Sequence, residues 1–249
     1  MLPISVPREF CIIAHRGASA YAPENTIAAF ETAKKMGVTD VELDVQITTD
    51  GVVVVCHDET LERYGHGTGV VEELPSEILL KLDMGSWFSP HFFCGTPMIT
   101  LEQLLSTFGD TLTYHIELKG KSPELANAVH SLVSQAGLQD RSIITSFSAD
   151  QLVRMRKACS DSRLAWLVDS LDDETVRFAD HLDLYQLCPR ADSVTDSLVR
   201  KARCSVPEIR AWGLNGRPQD VRALVHRIID AGCDGTTINW PDWVTHDGG

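Results

Sequence analysis

Short apolar segments alternate with amphipathic helical segments along almost the whole chain, and this alternation restricts the fold more than any other feature. Nine segments read as strands: 11–15, Asp40–Ile47, 52–57, Thr113–Leu118, Ser142–Ser146, 163–168, 181–187, 206–212 and 234–238. Helical punctuation lies between them. Ser122-Pro123 predicts an N-cap followed by proline at the first helical position. Leu125, Ala128, Val129, Leu132, Val133 and Ala136 then form one apolar stripe, which Gly137 is placed to end. Thr100 with Gln103, and Ser148 with Gln151, have capping-box spacing. Val221, Leu224, Val225, Ile228 and Ile229 repeat the stripe before Gly232, and a helix over 26–36 stops at Gly37.

Repeated β–α units predict a parallel sheet, and eight of them close into a (β/α)8 TIM barrel of about 250 residues, which suits a chain of 249. Nine strands is one too many. The surplus is explained at 40–57, where two strands are separated only by Thr48-Thr49-Asp50-Gly51. A parallel crossover needs roughly a dozen residues, whereas Asp-Gly signals a hairpin. The second barrel strand is therefore predicted to overshoot the rim and return antiparallel. With the turn centred near Thr49-Asp50, position 57 lies opposite position 42. Residues 58–99 are rich in Gly, Pro and aromatics, with no helical stripe until Leu101. With the hairpin they predict an insertion over 45–100 within a single domain of residues 1–249. Trp87, Phe88, Phe92, Phe93 and Met98 are expected to form the insertion's own small core, the alternative being an apolar approach to the site.

Charge and cysteine usage exclude several classes. Lys+Arg 22 against Asp+Glu 35 gives a net charge of −13, which argues against a nucleic-acid partner. No segment approaches the roughly 18 apolar residues of a membrane helix, and the start shows no basic region followed by an apolar stretch. No stable membrane association is expected. The seven cysteines are scattered without a C-x-x-C pair, so reduced thiols and a cytoplasmic location are expected. Oligomeric state is not set by the sequence.

Two strands carry the chemistry. In Asp40–Ile47, Val41, Leu43 and Val45 share one face, while Asp40, Glu42, Asp44 and Gln46 share the other. In Thr113–Leu118, His115 and Glu117, with Lys119 just beyond, oppose Tyr114, Ile116 and Leu118. Barrel lumens are normally filled by bulky aliphatics, so adjacent carboxylates there repel unless a cation neutralises them. The alternative is a solvated edge strand. Carboxylates from neighbouring strands suit Mg²⁺ or Ca²⁺ rather than zinc. Lys119 alternatively forms only a salt bridge. His15 ends the first strand, and the hairpin brings His57 back beside the carboxylates. With unperturbed pKa values near 6.5, two such imidazoles can serve as one base and one acid. His115 faces the lumen one layer deeper; the remaining histidines are expected at packed or surface positions. Arg16 offers a planar fork suited to phosphate. Together these residues favour metal-assisted acid/base chemistry on a small phosphate ester.

His15-Arg16-Gly17-Ala18, Pro23-Glu24-Asn25-Thr26, Ala29-Phe30, Glu42-Leu43-Asp44-Val45, Thr49-Asp50-Gly51, His57-Asp58 and Glu117-Leu118-Lys119 follow one another in order. In this order and spacing the chain closely resembles the glycerophosphodiester phosphodiesterase family. The likeness is strong over 12–119 and looser beyond, through Ser146-Phe147, Trp212 and the stretch from Asp234-Gly235 to Pro241-Asp242. The resemblance implies a (β/α)8 barrel with an insertion after the second strand. It also implies hydrolysis of glycerophosphodiesters to an alcohol and glycerol 3-phosphate through a cyclic phosphodiester. By matching position, Glu42, Asp44 and Glu117 would bind one divalent cation, His15 and His57 would be the acid/base pair, and Arg16 and Lys119 would hold the phosphate. Trp212 is expected in the substrate site.

The chain departs from the family pattern at Ile238-Asn239-Trp240-Pro241, at Gly213-Leu214-Asn215 and at Tyr64-Gly65 after Arg63. These are expected to touch neither the acid/base nor the metal residues and to bear on substrate preference. The rival readings are a lysophospholipase-D-like phosphodiesterase and a catalytically silent barrel that binds phosphate-containing ligands. A metal-dependent amidohydrolase would need H-x-H on the first strand, which His15-Arg16-Gly17 does not supply.

Overall fold

Alternation along each strand decides which way the sheet curls. Val41, Leu43 and Val45 are fully buried in the main hydrophobic core, while Glu42, Asp44 and Gln46 occupy the other face. The computed structural model describes residues 2–248. Its strands are β1 (Ile4–Val6), β2 (Cys11–Ala14), β3 (Asp40–Ile47), β4 (Val53–Val55), β5 (Thr113–Leu118), β6 (Ser142–Ser146), β7 (Leu164–Val168), β8 (Gln186–Pro189), β9 (Glu208–Ala211), β10 (Gly235–Ile238) and β11 (Val244–His246). Eight parallel strands run in the order β2-β3-β5-β6-β7-β8-β9-β10, and β10 pairs with β2 to close the ring. The expected TIM barrel is the fold observed. The supernumerary ninth strand is β4, antiparallel to the far end of β3.

The helices are α1 (Ile27–Lys35), α2 (Ser76–Leu79), α3 (Leu101–Phe108), α4 (Leu125–Gln135), α5 (Ala149–Ala158), α6 (Asp173–His181), α7 (Asp196–Ala202) and α8 (Pro218–Asp230). Thr100 and Gln103 make the full capping box, with bonds of 3.0 and 2.9 Å. Ser148 makes only half of one. Its hydroxyl accepts from Gln151 N, but the Gln151 side chain donates to Gly120 O and Ser122 O, tying the loop after β5 to α5. Helix α4 starts at Leu125 rather than at Pro123, because Ser122 Oγ accepts from Glu124 N in a turn ahead of the helix.

The strand expected over 181–187 is shorter and later. His181 ends α6, Asp183 adopts φ +51, and Leu184 N bonds back to Ala179 O. Leu182 and Leu184 are buried from this turn rather than from a strand. The pairing of β1 with β11, which ties the two ends of the chain together, was not anticipated.

Residues 56–98 pack around a second cluster containing Cys56, Leu61, Tyr64, Val71, Leu79, Met84 and Met98. Trp87 packs against it, with Phe88 and Phe93 in edge contact at 5.7 Å. Phe92, expected in this core, is instead 85% exposed.

Candidate active site

Register brings the carboxylates together. Across the β3–β5 ladder Glu42 opposes His115 and Asp44 opposes Glu117, and opposed residues share a face. One oxygen from each of Glu42, Asp44 and Glu117 lies within 4.8 Å of the others, and all three residues are buried. Asp44 Oδ2 accepts from Asn25 Nδ2 at 2.9 Å and ion-pairs with Arg16 Nε at 3.2 Å. Glu42 Oε2 accepts from Arg16 N, and Glu117 Oε1 from Lys119 Nζ. Among the described residues, Glu42 Oε1 and Asp44 Oδ1 are buried without a hydrogen-bond partner. Two orphaned carboxyl oxygens inside such a triad fit a hard divalent cation, which would favour their ionised form.

The electrostatics agree. Burial, then the Asp44 and Glu117 charges, raise the Glu42 carboxyl well above its usual range. Burial and Asp44 push Glu117 up to about 7. Burial also acts to raise Asp44, but Arg16, His57, Lys119 and the Asn25 bond outweigh it and hold Asp44 low. This sets a pH dependence for the cation-free protein. Between the ordinary Glu value of 4.5 and about 7, the unfolded Glu117 carboxyl ionises while the folded one keeps its proton. Its contribution to stability is therefore complete below 4.5 and is lost as pH rises through about 7. His15, lowered from 6.5 to about 4, acts in the opposite sense between those values. Thermal melts in chelator should consequently compare wild type with Glu117→Gln. The variant is expected to gain on wild type as pH rises, and parallel curves would refute this.

The hairpin register differs by one from expectation. Val45 pairs with Val55 and Ile47 with Val53, around a three-residue turn in which Gly51 adopts φ +83. Three-residue hairpins characteristically put Gly in this left-handed position. Position 57 would thus lie opposite 43 rather than 42, on the outward face. The last ladder bond runs from Cys56 N to Asp44 O, so His57 escapes the ladder and lines the central cavity. Its Nδ1 bonds Asp58 Oδ1 at 2.6 Å. Arg63 grips Asp58 at 2.6 and 3.1 Å and Glu24 at 2.6 Å, and Glu24 in turn grips Arg16.

His15 follows β2, with Nδ1 against Asn239 Oδ1 at 2.6 Å and Nε2 3.8 Å from Glu42 Oε2. It is not unperturbed: burial, then Arg16, lower its pKa to about 4, against the opposing pull of Asp44 and Asn239. The turn that follows is tight. Arg16 and Gly17 both have positive φ, and a Cβ on Gly17 would meet Ala29 backbone at 2.6 Å. Gly17→Ala is expected to destabilise by about 3 kcal/mol or more, combining backbone strain with overpacking. An unchanged denaturant midpoint would contradict that.

A cavity of about 310 Å³ opens at the carboxyl ends of the strands, lined by His15, Arg16, Glu42, His57, Glu117, Lys119 and Trp212 among others. Asp44 lies just behind this lining, fully buried. The guanidinium of Arg16 is turned into Glu24 and Asp44, and Lys119 Nζ sits 5.5 Å from the centre of the Phe147 ring. Asp40 stays outside the triad, paired with His115 and Arg210 beneath it. None of Trp87, Phe88, Phe92, Phe93 or Met98 lines the cavity; its aromatic wall is Phe147 against Trp212, with ring centres 5.0 Å apart.

The departures from the family pattern are nearer the chemistry than expected. Asn239 bonds His15 directly, Tyr64 OH bonds Arg63 and Glu24, and Gly213, Leu214 and Asn215 line the cavity. Sequence reasoning assigned no role to Asn25, Asp58, Glu24 or Asn239. The first three stand inside the quoted motifs, so their position there was the signal available.

The family model of the "Glycerophosphoryl diester phosphodiesterase family" matches residues 15–243. Fold and family together define an α/β-barrel enzyme of the phosphoric diester hydrolase class. The chain belongs to the glycerophosphoryl diester phosphodiesterase family. It is 32% identical to a glycerophosphodiester phosphodiesterase of Bacillus subtilis, over 95% of this chain and 85% of that protein. It is also 32% identical to one of Caldanaerobacter subterraneus, over 93% and 94%. Among solved structures, an Oleispira antarctica phosphodiesterase in complex with the product sn-glycerol-3-phosphate superimposes with a TM-score of 0.85 at 25% identity, over 93% of this chain and 94% of that one.

Proposed function

We propose that the protein converts glycerophosphodiesters to an alcohol and glycerol 3-phosphate by histidine acid/base catalysis, with one divalent cation, Mg²⁺ or Ca²⁺, held by Glu42, Asp44 and Glu117. The observation that carries this reading is the convergence on one site of three carboxylates and two imidazoles, each imidazole anchored through Nδ1. When bound, the cation would supply Lewis-acid stabilisation of charge developing at phosphorus. The neighbour solved with glycerol 3-phosphate supports the substrate class.

The partners of the two rings support different roles for them. Asn239 Oδ1 accepts from His15 Nδ1, which leaves Nε2 as an acceptor on a ring that burial keeps neutral. His15 is then the base, taking the proton of the glycerol 2-hydroxyl. Asp58, an anion, accepts from His57 Nδ1, which suits a ring carrying a proton on each nitrogen. His57 is then the acid. The 2-oxygen attacks phosphorus, the bond to the head-group oxygen breaks, and His57 Nε2 gives that oxygen its proton. In the second half His57 takes a proton from water, the hydroxide oxygen bonds phosphorus, and His15 returns a proton to the 2-oxygen as the ring opens. Arg16 and Lys119 line the phosphate end, and Trp212 is fixed as a wall by its Nε1 bond to Val168 O.

No helix among the described residues is long and apolar enough to cross a membrane, and all seven cysteines are free. Free thiols support the cytoplasm as the location. Chelator-stripped protein is expected to release no glycerol 3-phosphate from glycerophosphocholine, with activity returning on addition of Mg²⁺ or Ca²⁺. A chelator-resistant rate contradicts the proposed chemistry. Preference for lysophosphatidylcholine would favour the lysophospholipase-D-like reading, and no turnover of either with cation would favour the silent barrel.

A further inference from the structure

A second row of polar side chains faces the same cavity. Across β5, β6, β7 and β8 the successively opposed residues are Glu117, Thr145, Ala165 and Gln186. Opposed residues share a face, so the row begins at a proposed cation ligand. It ends across the lumen, because β8 lies four places from β3 in a ring of eight. Thr145 and Gln186 line the cavity while only 4% and 1% exposed. Thr145 Oγ1 and Gln186 Oε1 have no hydrogen-bond partner among the described residues. Ile143, Ala165 and Cys188 form a small apolar cluster on the same three strands, and buried oxygens left unsatisfied destabilise the free protein. Ala165, between them on β7, is fully buried and contributes only a methyl group.

The chemistry of the row selects the ligand. Gln186 Oε1 accepts, and the Thr145 hydroxyl both donates and accepts, so together they call for a group that can donate and accept at once, a hydroxyl. An anionic group is disfavoured, because Arg210 is already matched by Glu208 at 2.7 Å and Asp40 at 3.6 Å. On the proposed function, phosphorus sits by the β3–β5 wall and the 2-hydroxyl by His15. The glycerol carbon furthest from phosphorus then reaches into the lumen towards β6 and β8.

We infer that Thr145 and Gln186 form a subsite for the free terminal hydroxyl of the glycerol and set how strongly the enzyme discriminates against substrates that lack it. An acyl ester at that carbon has no O–H to donate. This inference rests on the proposed function and assigns it a specificity device.

The test compares glycerophosphocholine with its analogue bearing a methyl group in place of the terminal CH₂OH, which retains the 2-hydroxyl. Wild-type enzyme loaded with cation is expected to prefer glycerophosphocholine by about 10²-fold or more in kcat/KM. Gln186→Leu and Thr145→Val are each expected to shrink that preference about tenfold. Wild-type rates on the two substrates within about threefold of one another would overturn the subsite while leaving the proposed function standing. So would variants that keep the full preference. The wild-type comparison decides even if a variant fails to fold. No turnover of glycerophosphocholine by the loaded wild type would overturn the proposed function and this inference together.

Discussion

Alanine at His57 is expected to lower kcat/KM for glycerophosphocholine by about 10²–10⁴-fold, the range for loss of a positioned proton donor. Most of that loss should vanish when nitrophenol replaces choline as the leaving group, because so acidic an alcohol departs without protonation. His15→Ala should be slow on both substrates, since the 2-hydroxyl must be deprotonated whatever leaves. The asymmetry follows from the partners. His15 leans through Nδ1 on a neutral amide, and His57 on a carboxylate that Arg63 holds in place. Equal losses on both substrates for both variants would refute the assignment. A phosphodiester lacking the 2-hydroxyl tests the cyclic route separately, and undiminished turnover would exclude it.

Glu42→Gln is expected to leave the cation-free protein as stable as wild type or slightly more so, while removing its stabilisation by Mg²⁺ or Ca²⁺. Glu42 lies buried beside Asp44 and Glu117, and its ionised form is strongly disfavoured there. A glutamine keeps an acceptor for Arg16 N, and its amide hydrogens meet a neighbour, Asp44, with an unpartnered oxygen. Repulsion falls and no hydrogen bond need be lost. Cation at about 100 times its dissociation constant stabilises a folded site by about 2.7 kcal/mol, on the order of 5–10 °C in Tm for a chain of this size. The variant should show none of that shift. A full shift in Glu42→Gln would place the cation elsewhere.

Much of this architecture was readable from residue order because its physics is local. Period-two alternation separates Val41, Leu43 and Val45 from Glu42 and Asp44 whatever the rest of the chain does. The short Thr48–Gly51 connection forbids a parallel crossover, so the ninth strand had to be a return strand. The failures come where distant partners decide. The hairpin slipped by one because the connection accommodates both a two-residue turn at Thr49-Asp50 and a three-residue turn ending at Gly51, and only the packed strands choose between them. Leu182 and Leu184 imitate strand periodicity while closing a helix end. Asn239 reads as a substitution remote from chemistry until ring closure sets β10 beside β2 and brings its amide to His15. Thr145 and Gln186 carry no motif; they are joined only by strand register.

On the proposed function, one hard cation gripped by Glu42, Asp44 and Glu117 is needed for the reaction. The most direct test titrates Mg²⁺ or Ca²⁺ calorimetrically into stripped protein and follows glycerol 3-phosphate release over the same concentrations. One ion is expected to bind per chain, with activity rising as it does so, and neither event is expected in Glu42→Gln. Binding that persists in Glu42→Gln, or activity in stripped protein equal to that of the loaded enzyme, would contradict it.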